Sequence, residues 1–198
     1  MTPSLALNMT LYVIRHGECE HNVQGRAAAR NDTPLTARGR EQARANGRLL
    51  RDVEPGLERF DFFASSLHRA CDTTELLREA AGLAPTAYRA DRRLMEIDFG
   101  DLTMMTFAEV DAHPARPPAW DDWDYVRPSG ESWAQVHERV GRFLATLARD
   151  AVIVTHFGPA RMIHAHYFGL GPKEMAGYKP SHAAILRLQA GTEARFGE

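Results

Sequence analysis

The sequence predicts an α/β fold, a three-layer sandwich with a mostly parallel central sheet flanked by helices. Two observations lead there. Short runs such as Leu11–Ile14 and Ala151–His156 are apolar at consecutive positions and rich in β-branched residues, the pattern of strands covered on both faces. Stretches with helical signals alternate with these runs, which favours parallel strands joined by helical crossovers. A chain of 198 residues is long enough for one well-packed domain and short for two, so a single domain over residues 1–198 is expected.

Each element has its own local reason. After the strand at Leu11–Ile14, Thr36 caps a helix reaching about Val53, although Gly39 and Gly47 argue against its regularity. Phe60–Ser65 reads as a second strand. Ser66 offers an N-cap to a helix through Ala80, stopped by Gly82. Ser132 and Gln135 have capping-box spacing, and Trp133, Val136, Val140, Phe143, Leu144 and Leu147 behind them share one helical face. The strand Ala151–His156 follows, then a helix from about Pro159 to Phe168 and a last strand at Ala183–Leu188. Residues from Thr103 to Arg127, including the stretch HPARPPAWDDWDY, show no usable period. They are expected to form an irregular excursion placed as a lid over whatever the sheet carries.

Composition narrows the classes of function. The chain is 44% hydrophobic and 25% charged, with a formal net charge of -2. That balance argues against a nucleic-acid binder, which needs a basic excess, but allows a small anion held by a few focused arginines. No run approaches the ~20 apolar residues of a membrane span. The opening MTPSLALNMT lacks a secretory pattern, so a cytoplasmic protein is expected. Cys19 and Cys71 form no paired motif. The sequence leaves the oligomeric state open, a homodimer included.

Ligands of open α/β sheets bind beyond the carboxyl ends of the strands. Two strand candidates end in histidine: one delivers Arg15 and His16, the other His156. The strand ending near Ser65 leads into a helix whose first turn carries Arg69. Two imidazoles and two guanidiniums therefore converge, a set suited to a phosphoryl group. Arginine meets its oxygens in bidentate fashion without a metal. A neutral imidazole is a competent nucleophile, and a protonated one can donate to oxygens gaining charge.

With those residues in view, the chain resembles the histidine phosphatase superfamily, which includes the cofactor-dependent phosphoglycerate mutases. RHGE at the end of the first strand is similar to its signature. HNVQG, DTPLTARGREQA, SSLHRACDTTELL, LMEIDFGD, PSGES and VTHFG resemble further family stretches in the family's order. The resemblance implies a phosphoglycerate mutase-like fold. It also implies His16 as nucleophile, Arg15, Asn22, Arg69 and His156 around the phosphoryl oxygens, and Glu96 as the acid that protonates the leaving alkoxide and then deprotonates water. It implies no metal and no cofactor. A small phosphorylated substrate is the implied partner, with no nucleic acid and no membrane. The chain departs from the family at FGDLTMM, where fGdWEG is common, and at Phe157, where glycine usually follows the histidine.

The expected activity is that of a metal-independent phosphomonoesterase. Two alternatives stay open: a phosphoglycerate-type mutase, against which the short chain argues, and a non-catalytic phosphate- or phosphopeptide-binding protein. The other groups have plainer readings. His164 and His166, two apart on a helix, face different ways and are poor joint metal ligands; His68, His113 and His137 lack partners at metal-ligand spacing. His21 and His182 are placed near the pocket rim without a role. Cys19 is read as a bystander, Trp120 and Trp123 as packing, and Asp121, Asp122 and Asp124 as a solvated acidic patch.

Overall fold

Among the described residues, six strands form one sheet: β1 (Leu11–Arg15), β2 (Asp61–Ser65), β3 (Arg89–Asp91), β4 (Ala151–Thr155), β5 (Ile185–Gln189) and β6 (Thr192–Phe196). Their spatial order is β3-β2-β4-β1-β5-β6. The pairs β1–β4, β2–β4 and β2–β3 are parallel, while β5 is antiparallel to β1 and β6 to β5. The sheet is therefore mixed, with a parallel centre and an antiparallel edge. The computed structural model describes residues 9–119, 122–175 and 177–197. Trp120 and Asp121, read above as packing and acidic-patch residues, lie outside the described residues.

Alternation along the strands divides the interior into two cores. Leu11, Val13, Phe63, Ala151 and Ile153 point to one face, under α5 (Trp133–Leu144) and α6 (Phe157–Phe168). Tyr12, Ile14, Phe62, Val152 and Val154 point to the other, under α2 (Ala37–Val53) and α3 (His68–Ala80). Both faces are covered, which explains why these strands are apolar at every position. Gly47 has a packing reason. A side chain there would collide with the backbone carbonyl of Leu77, so glycine lets α2 lie close on α3.

Several element ends differ from the local sequence signals. Helix α3 begins at His68 with Leu67 as N-cap, one residue beyond the helix start that Ser66 would set. Its first amides are met from elsewhere in the chain: Asp32 accepts the His68 N–H at 2.6 Å and the Arg69 N–H at 3.4 Å. A cap supplied from 36 residues away in sequence leaves no local signature. Helix α6 starts at Phe157, ahead of Pro159, which sits in the first turn where a missing N–H is harmless. The excursion is partly regular, since Thr106 and Glu109 form a capping box for the short α4 (Phe107–Ala112). Strand β3 has three half-exposed or exposed residues, and β6 is polar, so neither carries an apolar signal. The tight turn joining β5 to β6 places Ala190 and Gly191 both at positive φ, 49° and 75°, as a type I′ hairpin requires.

Candidate active site

Parallel pairing puts the carboxyl ends of β1, β2 and β4 on one edge of the sheet. A cavity of about 350 Å³ opens there, lined by Arg15, His16, Asn22, Arg69 and Glu96 together with residues of the flanking loops and helices. Five of the six residues singled out from the sequence meet at this one cavity. His156 lies behind His16 and does not line it.

His16 follows β1 directly, and its backbone N–H continues the ladder by donating to the Thr155 carbonyl at 2.8 Å. Its side chain is 3% exposed. Nδ1 lies 2.7 Å from the Gly17 carbonyl, an acceptor, so Nδ1 carries the ring proton and Nε2 keeps a free lone pair. Burial, then the charges of Arg69, Arg15 and His182, hold His16 well below the usual imidazole range. The ring is neutral near pH 7.

Arg69, 2% exposed, is fixed by a loop rather than by its own helix. Its guanidinium donates to the carbonyls of Ala29 at 2.7 Å and Asn31 at 3.0 Å, and pairs with Asp32 at 3.4 Å. Arg15 donates to the Pro180 carbonyl at 3.2 Å, and its Nε is buried without a partner among the described residues. Asn22, in the short α1 (Glu20–Val23), accepts the backbone N–H and thiol of Cys19 through Oδ1, at 3.1 and 3.0 Å. Its amide hydrogens are thereby turned away from Cys19. Cys19 is no bystander: it orients Asn22, and burial pushes its thiol pKa up, away from reactivity.

Glu96 accepts the N–H of Ile97 at 2.9 Å and that of Gly158, in the first turn of α6, at 3.0 Å. A side chain at residue 158 would strike Oε1 of Glu96 and the ring of Trp133, so the close approach depends on glycine. The segment is held from behind. Arg139 donates to the carbonyls of Arg93 at 2.6 Å and Glu96 at 3.1 Å, and Glu131 binds both Arg139 and Arg30. Thr155 donates to the Leu94 carbonyl at 2.7 Å. The glutamate of the PSGES stretch thus secures the segment that carries Glu96.

His156 is the N-cap of α6 and is fully buried. Its ring centroid lies 5.0 Å from that of His16. Nε2 sits 2.7 Å from the Ser65 hydroxyl, while Nδ1 is buried and unmatched among the described residues. Burial and the Arg69 charge keep this imidazole neutral as well.

Thr73, Arg26 and Arg161 belong to the site without any expectation from the sequence, and His182, expected only near the pocket rim, packs against His16. Thr73 accepts the Gly17 N–H at 3.0 Å and donates to the Arg69 carbonyl at 2.7 Å, tying the turn after His16 to α3. His182 stands edge-on to His16, centroids 5.3 Å apart, donates through Nδ1 to its carbonyl, and is lowered to about 4 by burial and Arg15. Arg26 and Arg161 also line the cavity. Only Arg161 leaves a trace in the sequence, as a cation within the otherwise apolar start of α6. Three of the remaining histidines have partners away from the cavity: His164 pairs with Glu193 at 2.6 Å, and His137 and His166 stack with centroids 3.7 Å apart.

A family profile described as the histidine phosphatase superfamily (branch 1) matches residues 11–195. The chain belongs to that family. It is 32% identical over 176 residues to the adenosylcobalamin/alpha-ribazole phosphatase of Escherichia coli K12, covering 84% of this chain and 83% of that protein. It is 29% identical to the human 6-phosphofructo-2-kinase/fructose-2,6-bisphosphatase 3 over 90% of this chain, but spans only 33% of that longer protein. The crystal structure of the alpha-ribazole phosphatase from Shigella flexneri superposes with a TM-score of 0.78 at 30% identity, covering 96% of this chain and 95% of that one. The histidine phosphatase fold, with its phosphoglycerate mutase-like mixed sheet, and the family's phosphatase-type hydrolase activity are those expected from the sequence. The cavity suits that activity: four arginines face a single glutamate in a protein whose overall charge is slightly negative, so the positive potential is local.

Proposed function

We propose that this histidine phosphatase hydrolyses a small phosphomonoester through a phosphohistidine on His16. One observation carries the reading: a buried, neutral imidazole whose Nδ1 proton is committed to the Gly17 carbonyl presents its other nitrogen at a cavity lined by Arg15 and Arg69.

The steps follow from the donors available. Arg15 and Arg69, with the Asn22 amide, take the phosphoryl oxygens and offset their charge. Nε2 of His16 attacks phosphorus as the ester P–O bond breaks, and Glu96 gives its proton to the departing alkoxide. Water then attacks the phosphohistidine. Glu96 accepts a proton from that water, the P–N bond breaks, and His16 returns to its starting state with Nδ1–H still on Gly17. No proton has to enter or leave His16 during the cycle. His156 contributes from behind. The Ser65 hydroxyl already accepts the Leu67 N–H at 3.3 Å, so it can donate to Nε2 of His156, leaving Nδ1–H as an unmatched donor for a phosphoryl oxygen.

The test is phosphate release from a panel of small phosphomonoesters with a chelator present, for wild type and His16→Ala. Chelator-resistant turnover that falls at least about 1,000-fold in the variant is expected. Turnover that survives in His16→Ala would overturn the mechanism.

A further inference from the structure

We infer that the alcohol half of the substrate carries a flat apolar face, and that Phe157 is the residue selecting it. The inference rests on the phosphomonoesterase reading and extends it to the leaving group.

Beyond the phosphate cage the cavity wall is built from Ala27, Ile97, Phe99, Phe107, Trp133 and Phe157. A sugar or polyol leaving group would bring several hydroxyls into that space, each needing a partner when buried. The lining offers few. Oε1 of Glu96 is already taken by two backbone N–H groups, and Asn22 spends its acceptor on Cys19. The guanidiniums of Arg26 and Arg161 donate but cannot accept. Among the described lining residues there is no serine, threonine or aspartate.

The walls are instead planar. The Phe157 ring centroid lies 5.4 Å from the guanidinium of Arg15, a member of the phosphate cage, and 5.4 Å from that of Arg161. Arg161 also lies 5.6 Å from the Trp133 ring. Guanidinium planes and aromatic faces stack on flat π-systems, and both are found here from the same cavity inward. Phe157 is placed by the fold with little freedom, because it is the first residue of α6 and follows the N-cap His156 directly. Glycine at this point, as in the family pattern, would remove this aromatic wall from the cavity.

The experiment compares 2-phenylethyl phosphate with glycerol 1-phosphate, both of which release an alkoxide, and measures binding of the matching phosphonates by calorimetry. Wild type is expected to favour the phenylethyl compounds by about tenfold or more in kcat/KM and in Kd. In Phe157→Leu and Phe157→Gly that preference should shrink towards parity, mainly through KM, with melting temperature recorded for each variant to separate misfolding. Equal or reversed preference in wild type, or an undiminished preference in both folded variants, would overturn the inference. Turnover of para-nitrophenyl phosphate in the same preparation reports the hydrolase reading separately. Binding preference without any turnover would refute hydrolysis while upholding the flat apolar pocket.

Discussion

The imidazoles of His16 and His156 lie 5.0 Å apart, centroid to centroid, and neither ring meets solvent freely. Each comes from the carboxyl end of a central parallel strand, so register between β1 and β4 fixes their spacing: Arg15 pairs with Thr155, and the histidines are the next residues on each side. Two charged imidazoles at this separation, beside Arg69 and Arg15, would repel strongly in a poorly hydrated site. The fold resolves this by keeping both neutral, which leaves the lone pair on Nε2 of His16 available to attack phosphorus.

That arrangement sets a pH dependence with a definite sign. In the folded chain His16 and His156 stay neutral well below the ordinary imidazole value, whereas in the unfolded chain they protonate near pH ~6.5. Below that pH the unfolded state binds more protons, so stability falls as pH drops, by about 1.4 kcal/mol per pH unit for each histidine. His182 and His137, both lowered to about 4, act in the same direction. Urea midpoints should decrease from pH 7 to pH 5, and less steeply in His16→Ala. A midpoint that does not move across this range contradicts the account.

Arg69 depends on a fork held at three points, so lysine should not replace it. Arg69→Lys is expected to lower kcat/KM by about 100-fold. Asp32→Asn, which weakens both the ion pair and the tertiary cap of α3, should cost about tenfold and raise KM for phosphate esters. Steady-state kinetics on one ester decides both. Equal activity in Arg69→Lys and wild type would remove Arg69 from the phosphate cage.

Thr73 is argued to act through Gly17. Thr73→Val keeps the shape and deletes the acceptor for the Gly17 N–H, leaving a buried donor unmatched at a cost of about 1–3 kcal/mol. The expected signature is a fall in kcat with little change in KM, restored by Thr73→Ser. If serine fails to rescue, the role is packing alone.

Glu96→Gln separates proton donation from binding. Alkyl phosphates, whose alkoxides need a proton, should lose about 100-fold or more in kcat, while para-nitrophenyl phosphate, with a stable leaving group, should lose far less. Uniform loss across both esters would assign Glu96 to structure instead.

Much of this was legible in the sequence where the physics is local. The apolar strands β1 and β4, the capping box at Ser132 and Gln135, and the Thr36 cap, whose side chain accepts from Gly39 N–H, all follow from neighbouring residues. Arg15, His16 and Arg69 could be placed together from strand ends and the family pattern alike, whereas Asn22 and Glu96 were legible through the family pattern alone. What escaped was long-range. Asp32 capping α3, Thr73 holding Gly17, His182 against His16 and Glu131 securing the Glu96 segment join residues far apart in sequence, and no local period records them. The edge strands β3 and β6 escaped for the opposite reason: being short or polar, they bury too little to leave a pattern.

The most direct test of the central claim is to quench turnover of a small phosphomonoester in alkali, where phosphohistidine survives, and locate the phosphoryl group by peptide mass spectrometry. A phosphoryl adduct on His16, formed within one turnover and cleared by water, is the predicted result. Continued turnover with no adduct, or with an adduct on another residue, would contradict it.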